Sequence, residues 1–382
     1  MQSSISSSLT SSVVFLAGAL AACGGFDPAG GAGDTGVRRD AMTEIGRPAD
    51  AANADPRALD VPAASDTPAV IDVRYTSDVP MSVDARHVDA QMARDAPRVT
   101  DVPVVAPDGG SPDDPNTRTR SAMCTRWLAD RPPRVTPTWT MGATICDPGT
   151  LNTGAHDDAV RILNVYRWLS GAAAVGTAPA FAAQQQACAI MMDTNLMLSH
   201  APPSSWMCYS AAGASVALSS ALALGATGHP ASSVPMFIDE RGSQLGHRRF
   251  CLYPSLGPTW FGATSRATCM QVFQRATGSL PRLEFLAYPN PGFAPIENTQ
   301  GVWSIQPGSR SVAGGTVAIV DTTTGISMPT TPFDAGSTYA GGVALGWTLA
   351  GWTPLADHTY RVTITYPSAP MIQYNVTPTG CP

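Results

Sequence analysis

The sequence predicts an α+β protein: a layered domain in which helices precede strands, then an all-β domain, both behind a long amino-terminal segment. Three observations carry this. Helical periodicity runs from about residue 156 to 240, and strand-like runs follow at 248–253, 259–264 and 268–274. From about 281, short runs rich in Thr and Val alternate with Gly, Pro, Asn and Asp clusters. Residues 24–120 are dominated by Ala, Asp, Pro, Val, Gly and Arg with almost no aromatics. Such a segment buries too little apolar surface to offset its chain entropy, and it reads as a disordered tether.

The amino terminus reads as an export signal. Residues 13–22 form an apolar run too short to span a bilayer but suited to a signal-peptide core, and Leu20-Ala21-Ala22-Cys23-Gly24 closes it. That ending resembles a bacterial lipobox, which implies cleavage after residue 22 and lipidation of Cys23. The first twelve residues carry no basic side chain, a departure from the usual positive start. The expected localisation is the cell envelope or extracellular face, anchored to a membrane through Cys23, since two acyl chains suffice for stable attachment. Within residues 23–120, aspartates recur every five to seven positions from Asp55 to Asp101. The segment lacks the dense oxygen ligands and turn glycine of a calcium loop, so it reads as a spacer reaching about 50 Å.

Charge distribution excludes one class of partner. Residues 27–120 hold 17 acidic side chains against 10 arginines, whereas the other 12 acids face 13 arginines, and there is no lysine. The folded part is nearly neutral, without the basic surplus that phosphate binding requires, so nucleic acid is not an expected partner. Beyond Cys23, seven cysteines remain: Cys124, Cys146, Cys188, Cys208, Cys251, Cys269 and Cys381. In an exported chain they read as a disulfide framework with one left over. Cys251–Cys269 is the expected bridge across a strand pair, and Cys381 is a candidate partner of Cys124. No C-x₂-C spacing points to a zinc cluster.

The first folded domain is expected over 121–280, with 121–150 as an ordered lead-in. Residues 156–169 are helical, with acids in the first turn and Gly171 as a stop. A second helix is predicted over 178–198, opened by Pro179 and ended before Pro202-Pro203. A third, small and apolar, is predicted over 211–224 and a fourth over 231–240. Strand alternation then places Arg248 and Arg249 on opposite faces, in structural pairing. His229, in Gly-His-Pro, is expected in an exposed turn.

Asn164-x-x-Arg167, an alanine-rich second helix ending in Ser199-His200, Gly246-His247-Arg248 and a strand with Phe261-Gly262 occur in this order. Together, over about residues 155–275, they resemble the CAP superfamily (cysteine-rich secretory proteins, antigen 5 and pathogenesis-related proteins) in its bacterial SCP-like form. The resemblance implies an α-β-α sandwich with a cleft in which two histidines and two acids meet. His200 and His247 match the histidines. The acids match poorly: Ser220 stands where the family has glutamate, and Asp239, Glu240 and Asp193 are the candidates for the other. His200 and His247 would be the metal ligands, for zinc or another divalent cation, with no cofactor required. The competing reading makes both histidines packing residues, and a G-x-S-x-G nucleophile elbow is absent.

Residues 281–382 predict an immunoglobulin-like β-sandwich, with strands at 283–288, 302–305, 315–321, 343–349, 359–366 and 372–376. Trp303, Trp347 and Trp352 are expected in its core. The functional expectation is a membrane-tethered CAP-domain lipoprotein holding a small apolar or lipid ligand in the two-histidine cleft; the resemblance implies this ligand class. The alternatives are a metal-assisted hydrolase of peptide or cell-wall substrates, and a non-catalytic module meeting a cell-envelope partner through its β-sandwich.

Overall fold

The structure, a computed structural model, describes residues 114–136, 139–225, 229–277, 283–308, 311–337, 339–340 and 342–382. The expected signal peptide, Cys23 and the tether up to residue 113 lie outside these residues. The described chain is mixed α and β with several sheets. The described residues take in the end of the expected tether: Asp114 caps a 3-10 turn, Pro115–Thr117, and Thr119 caps helix α1 (Arg120–Asp130) by accepting from the Ala122 amide. A small hairpin follows, β1 (Trp139–Thr140) with β2 (Thr150–Leu151).

Helix α2 (Thr153–Leu169) starts at an Asn152 cap and ends before Gly171, which adopts φ +77°. A 3-10 turn, Pro179–Phe181, leads into α3 (Ala182–Asn195), which stops at Leu196 in the left-handed region. The expected helix over 211–224 is two elements, α4 (Ala211–Ala217) and strand β3 (Ser220–Leu224). Its small apolar residues suit either state, and pairing with a neighbouring strand decides it. Helix α5 (Pro230–Ile238) is as expected. The expected strand over 248–253 is instead helix α6 (Gly246–Leu252). Strands β4 (Phe261–Ala263) and β5 (Ala267–Gln271) complete a three-stranded antiparallel sheet of order β3-β5-β4.

Strand alternation sends this sheet's side chains into two separate cores. Leu222, Ala267 and Cys269 meet Cys188, Met191 and Met192 of α3 and Val216 and Ala217 of α4. Ala221, Ala223, Phe261 and Met270 meet α1, α2, α5 and α6 on the other face. Gly262 lets α3 lie against its strand: a Cβ there would stand 2.0 Å from the Gln185 carbonyl oxygen. The same alternation overturns the expected Cys251–Cys269 bridge. Cys269 faces α3 and bonds Cys188, while Cys251 on α6 remains a buried thiol, its Sγ 3.9 Å from Met270 Sδ. The other disulfides are Cys146–Cys208 and, as expected, Cys124–Cys381.

The rest of the chain forms two sheets sharing one core, in a sandwich-like arrangement. Sequence reading found β6 (Leu286–Tyr288), β8 (Trp303–Gln306), β9 (Thr316–Asp321), β12 (Leu345–Leu349), β13 (Tyr360–Tyr366) and a longer last strand, β14 (Ala369–Thr379). It missed β7 (Gly292–Pro295), β10 (Ile326–Met328) and β11 (Thr330–Asp334), which are short, carry prolines or are partly exposed. The sheet orders are β10-β9-β13-β14-β7 and β11-β12-β8-β6; β7 and β14 pair in parallel, the others antiparallel. Trp303 and Trp347 are fully buried between the sheets, with Trp352 packed beside them.

Candidate functional site

The motif residues behind the sequence resemblance turn out to bind backbone. Asn164 exchanges two hydrogen bonds with Val175, its Oδ1 accepting from the amide and its Nδ2 donating to the carbonyl. Arg167 is fully buried and donates to the carbonyls of Ala173, Cys251 and Tyr253. Burial depresses its pKa to about 10, far above neutrality, so the cation persists in the core. Arg248 donates to the carbonyls of Ile238, Glu240 and Val302 and to Ser304 Oγ, beneath the Tyr288 ring. Arg249 reaches the carbonyls of Gln244, Ala335, Tyr339 and Gly342. Both arginines are buried, not on opposite faces, because a helix sets consecutive residues about 100° apart. Their acceptors lie on the sandwich as well as beside α6, so this motif joins the helical layers to the β-sheets. Gly246 permits the approach: a Cβ there would stand 2.7 Å from the Tyr339 ring.

Of the residues expected in the cleft, only His247 and Glu240 come together. Glu240 Oε1 lies 3.2 Å from His247 Nδ1, and Oε2 accepts from the His247 and Arg248 amides, capping α6 in place of Leu245. Burial works to raise the Glu240 pKa. The hydrogen bond and charge of His247, with the Arg248 amide and guanidinium, outweigh it and hold the carboxyl below the usual range. Asp239 points elsewhere, toward Gly301 and Arg241. Asp193 pairs with Arg266 at 2.6 Å, and His200 lies beyond the end of α3, so the two do not share a helix face.

His200 and His247 stand on opposite sides of the three-stranded sheet. The exposed His200 ring bonds the Ala217 carbonyl through Nδ1 at 2.9 Å, and Ala217 belongs to the α3–α4 core. The His247 ring lies 5.3 Å from Phe237, in the core of the other face. Ser220 is buried among neutral partners: Gln185 Nε2 donates to its Oγ (3.0 Å) and to Gln271 Oε1 (2.9 Å), and the serine hydroxyl donates to Val216 O. A divalent cation would find neither two histidines nor the family's acid there. Among the described residues, no three His, Cys, Asp or Glu side chains gather to hold an ion.

Sequence reasoning missed two buried histidines. His156 stacks on Trp260 at 3.6 Å with Phe261 at its edge, and neither ring nitrogen has a hydrogen-bond partner among the described residues. Burial lowers its pKa to about 4. His229, expected in an exposed turn, is buried: Nδ1 accepts from the Ala231 amide, and Nε2 is 3.4 Å from Asp158 Oδ2.

It also missed an apolar rim around His200. Leu196, Met197 and Met207 are 54%, 57% and 52% exposed, Ile145 is 65% exposed, and Leu198, Tyr209 and Leu218 are exposed as well. These side chains come from neighbouring backbone. Asn195 and Met207 exchange hydrogen bonds, Cys208 is bridged to Cys146 beside Ile145, and His200 is tied to Ala217 beside Leu218.

The fold and its bridges define the class as a mixed α+β chain with three disulfides among its described residues, bonds that form and persist in oxidising compartments. Among the described residues, no helix is long and apolar enough to cross a membrane. Comparison of the chain with protein-family models, curated proteins and solved structures finds no match.

Proposed function

We propose that the chain is a membrane-tethered, extracytoplasmic binding protein, CAP-like in its helical layers and immunoglobulin-like in its β-sandwich, that takes a lipid or other small apolar ligand. The observation that carries this is the apolar rim around His200. Scattered exposed apolar side chains are ordinary, but a contiguous group marks a contact surface. The ligand class rests also on the CAP resemblance of the sequence. The binding place moves from the expected two-histidine cleft to the rim, because His200 and His247 face away from each other across the sheet. His247 and Glu240 serve the start of α6 and the joint to the sandwich.

The test is titration of a fluorescent fatty acid into full-length protein carrying Cys23→Ser, which removes the expected acylation site. Saturable binding is expected, weakened about tenfold or more by Leu196→Ser with Met197→Ser, since each loses a buried apolar side chain on binding. His247→Ala is expected to leave it unchanged. Absence of binding, together with protein recovered free of extractable lipid, would contradict the proposal.

A further inference from the structure

Resting on that reading, we infer that the His200 rim docks onto the surface of a lipid bilayer, with zwitterionic headgroups rather than anionic ones as its neighbours. Charge is the first argument. From Thr194 to Ile238 the sequence holds no Asp, Glu, Lys or Arg, although charged residues make up 14% of the chain. Its exposed residues include the large apolar Leu196, Met197, Leu198, Met207, Tyr209 and Leu218, with His200 and the uncharged Ser204, Ser205 and Ser215 among them. Surfaces that seek anionic lipid carry clusters of Lys and Arg, each adding attraction that salt screens. The rim carries no such cluster: beside it, Arg266 is paired with Asp193 and Asp147 follows Cys146, so its affinity comes from apolar burial in the headgroup region.

Backbone geometry is the second argument. Leu196 and Cys208 adopt φ of +50° and +59°, a region L-residues other than Asn and Asp rarely enter. They stand at either end of the loop that carries Met197, Leu198 and Met207. The Asn195–Met207 hydrogen bonds, the Cys146–Cys208 bridge and Trp206, packed against the α3–α4 core, hold the loop in that shape. The loop is thereby fixed with Leu196 and Met197 outward. Rigid presentation lowers the ordering cost of docking. The length of chain upstream supplies the third argument. The spacer expected before the folded part, about 50 Å in reach, would keep the rim at high effective concentration near the membrane that anchors Cys23.

Flotation with phosphatidylcholine vesicles tests this, using the full-length Cys23→Ser protein and the same protein with Leu196→Ser, Met197→Ser and Met207→Ser. Because the three positions are exposed, both proteins are expected to show the same far-ultraviolet circular dichroism and the same disulfide map. The parent should float with the vesicles, equally at low and high salt, and the triple variant should lose about tenfold or more of that binding. Equal flotation of the two proteins would overturn the inference. So would binding that requires anionic lipid and collapses with salt. A parent that ignores vesicles yet binds the fluorescent fatty acid overturns bilayer docking while leaving the proposed function standing; failure of both removes both. A parent that is dimeric, fails to float and becomes monomeric in the triple variant would show the rim to be a contact between copies, again overturning it.

Discussion

Buried histidines give the residue scale its clearest consequence. His156 has a pKa of about 4 in the fold against an ordinary value of 6.5, because the core penalises its charged form. The unfolded chain therefore binds a proton that the folded chain refuses. Stability is fully present above about pH 6.5 and falls as pH drops toward 4, by about 3 kcal/mol from this ring alone. Burial also lowers the His229 pKa, against the pull of Asp158, and adds to the loss in the same direction. Thermal unfolding between pH 7 and 4 should show the decline, and His156→Phe should flatten it; an unchanged pH profile in that variant would refute the assignment. Little of this was legible in the sequence. His156 opens a helix and looks like an exposed first-turn residue until Trp260, more than a hundred positions away, covers its face. The order of Asn164, Arg167 and Arg248 is visible in the sequence, but nothing there shows that their acceptors, or those of Arg249, are carbonyls. Arg248→Ala, which abandons three carbonyls and Ser304, should cost about 3 kcal/mol or more in denaturant unfolding, and Arg248→Lys only partly restores it.

At the scale of elements, sequence periodicity located α2, α3 and α5 and most sandwich strands, because each has an apolar face whose spacing matches its period. It failed where composition fits two states. Residues 211–224 are small and apolar throughout, and only pairing with β5 turns the second half into a strand. Residues 246–252 resemble a strand in their aromatic and aliphatic content, yet Glu240 caps them as a helix from six residues upstream. That error also misassigned a disulfide, since Cys251 was placed on the sheet with Cys269. Peptide mapping after alkylation should find Cys251 unmodified in native protein and modified in denaturant; burial pushes its thiol pKa up to about 12, which keeps it unreactive. Labelling of Cys251 in the native state, or an alkylated Cys188, would contradict the pairing. The Cys124–Cys381 bridge closes the largest loop, with a sequence separation of 257. Replacing both cysteines by serine should destabilise the fold by about 5 kcal/mol on the chain-entropy view.

For the molecule as a whole, the helical layers and the sandwich are joined by Arg248, Arg249 and the Cys124–Cys381 bridge, so calorimetry should show a single unfolding transition that separates into two when both arginines become alanine. The α+β class was legible because helices and strands segregate along the sequence. The face proposed to bind the ligand was not, because Ile145, Leu196, Met207 and Leu218 are brought together by a disulfide and by hydrogen bonds from the Asn195 and His200 side chains to backbone distant in sequence. The motif around His247 belongs to the joint. What separates these assignments most directly is photo-crosslinking of the full-length protein with a fatty acid bearing a photoactivatable group, followed by peptide mapping. Labels on peptides containing residues 141–146 and 196–218 are the predicted result; labels confined to Phe237, His247 and their neighbours would place the ligand on the opposite side of the sheet and contradict the account.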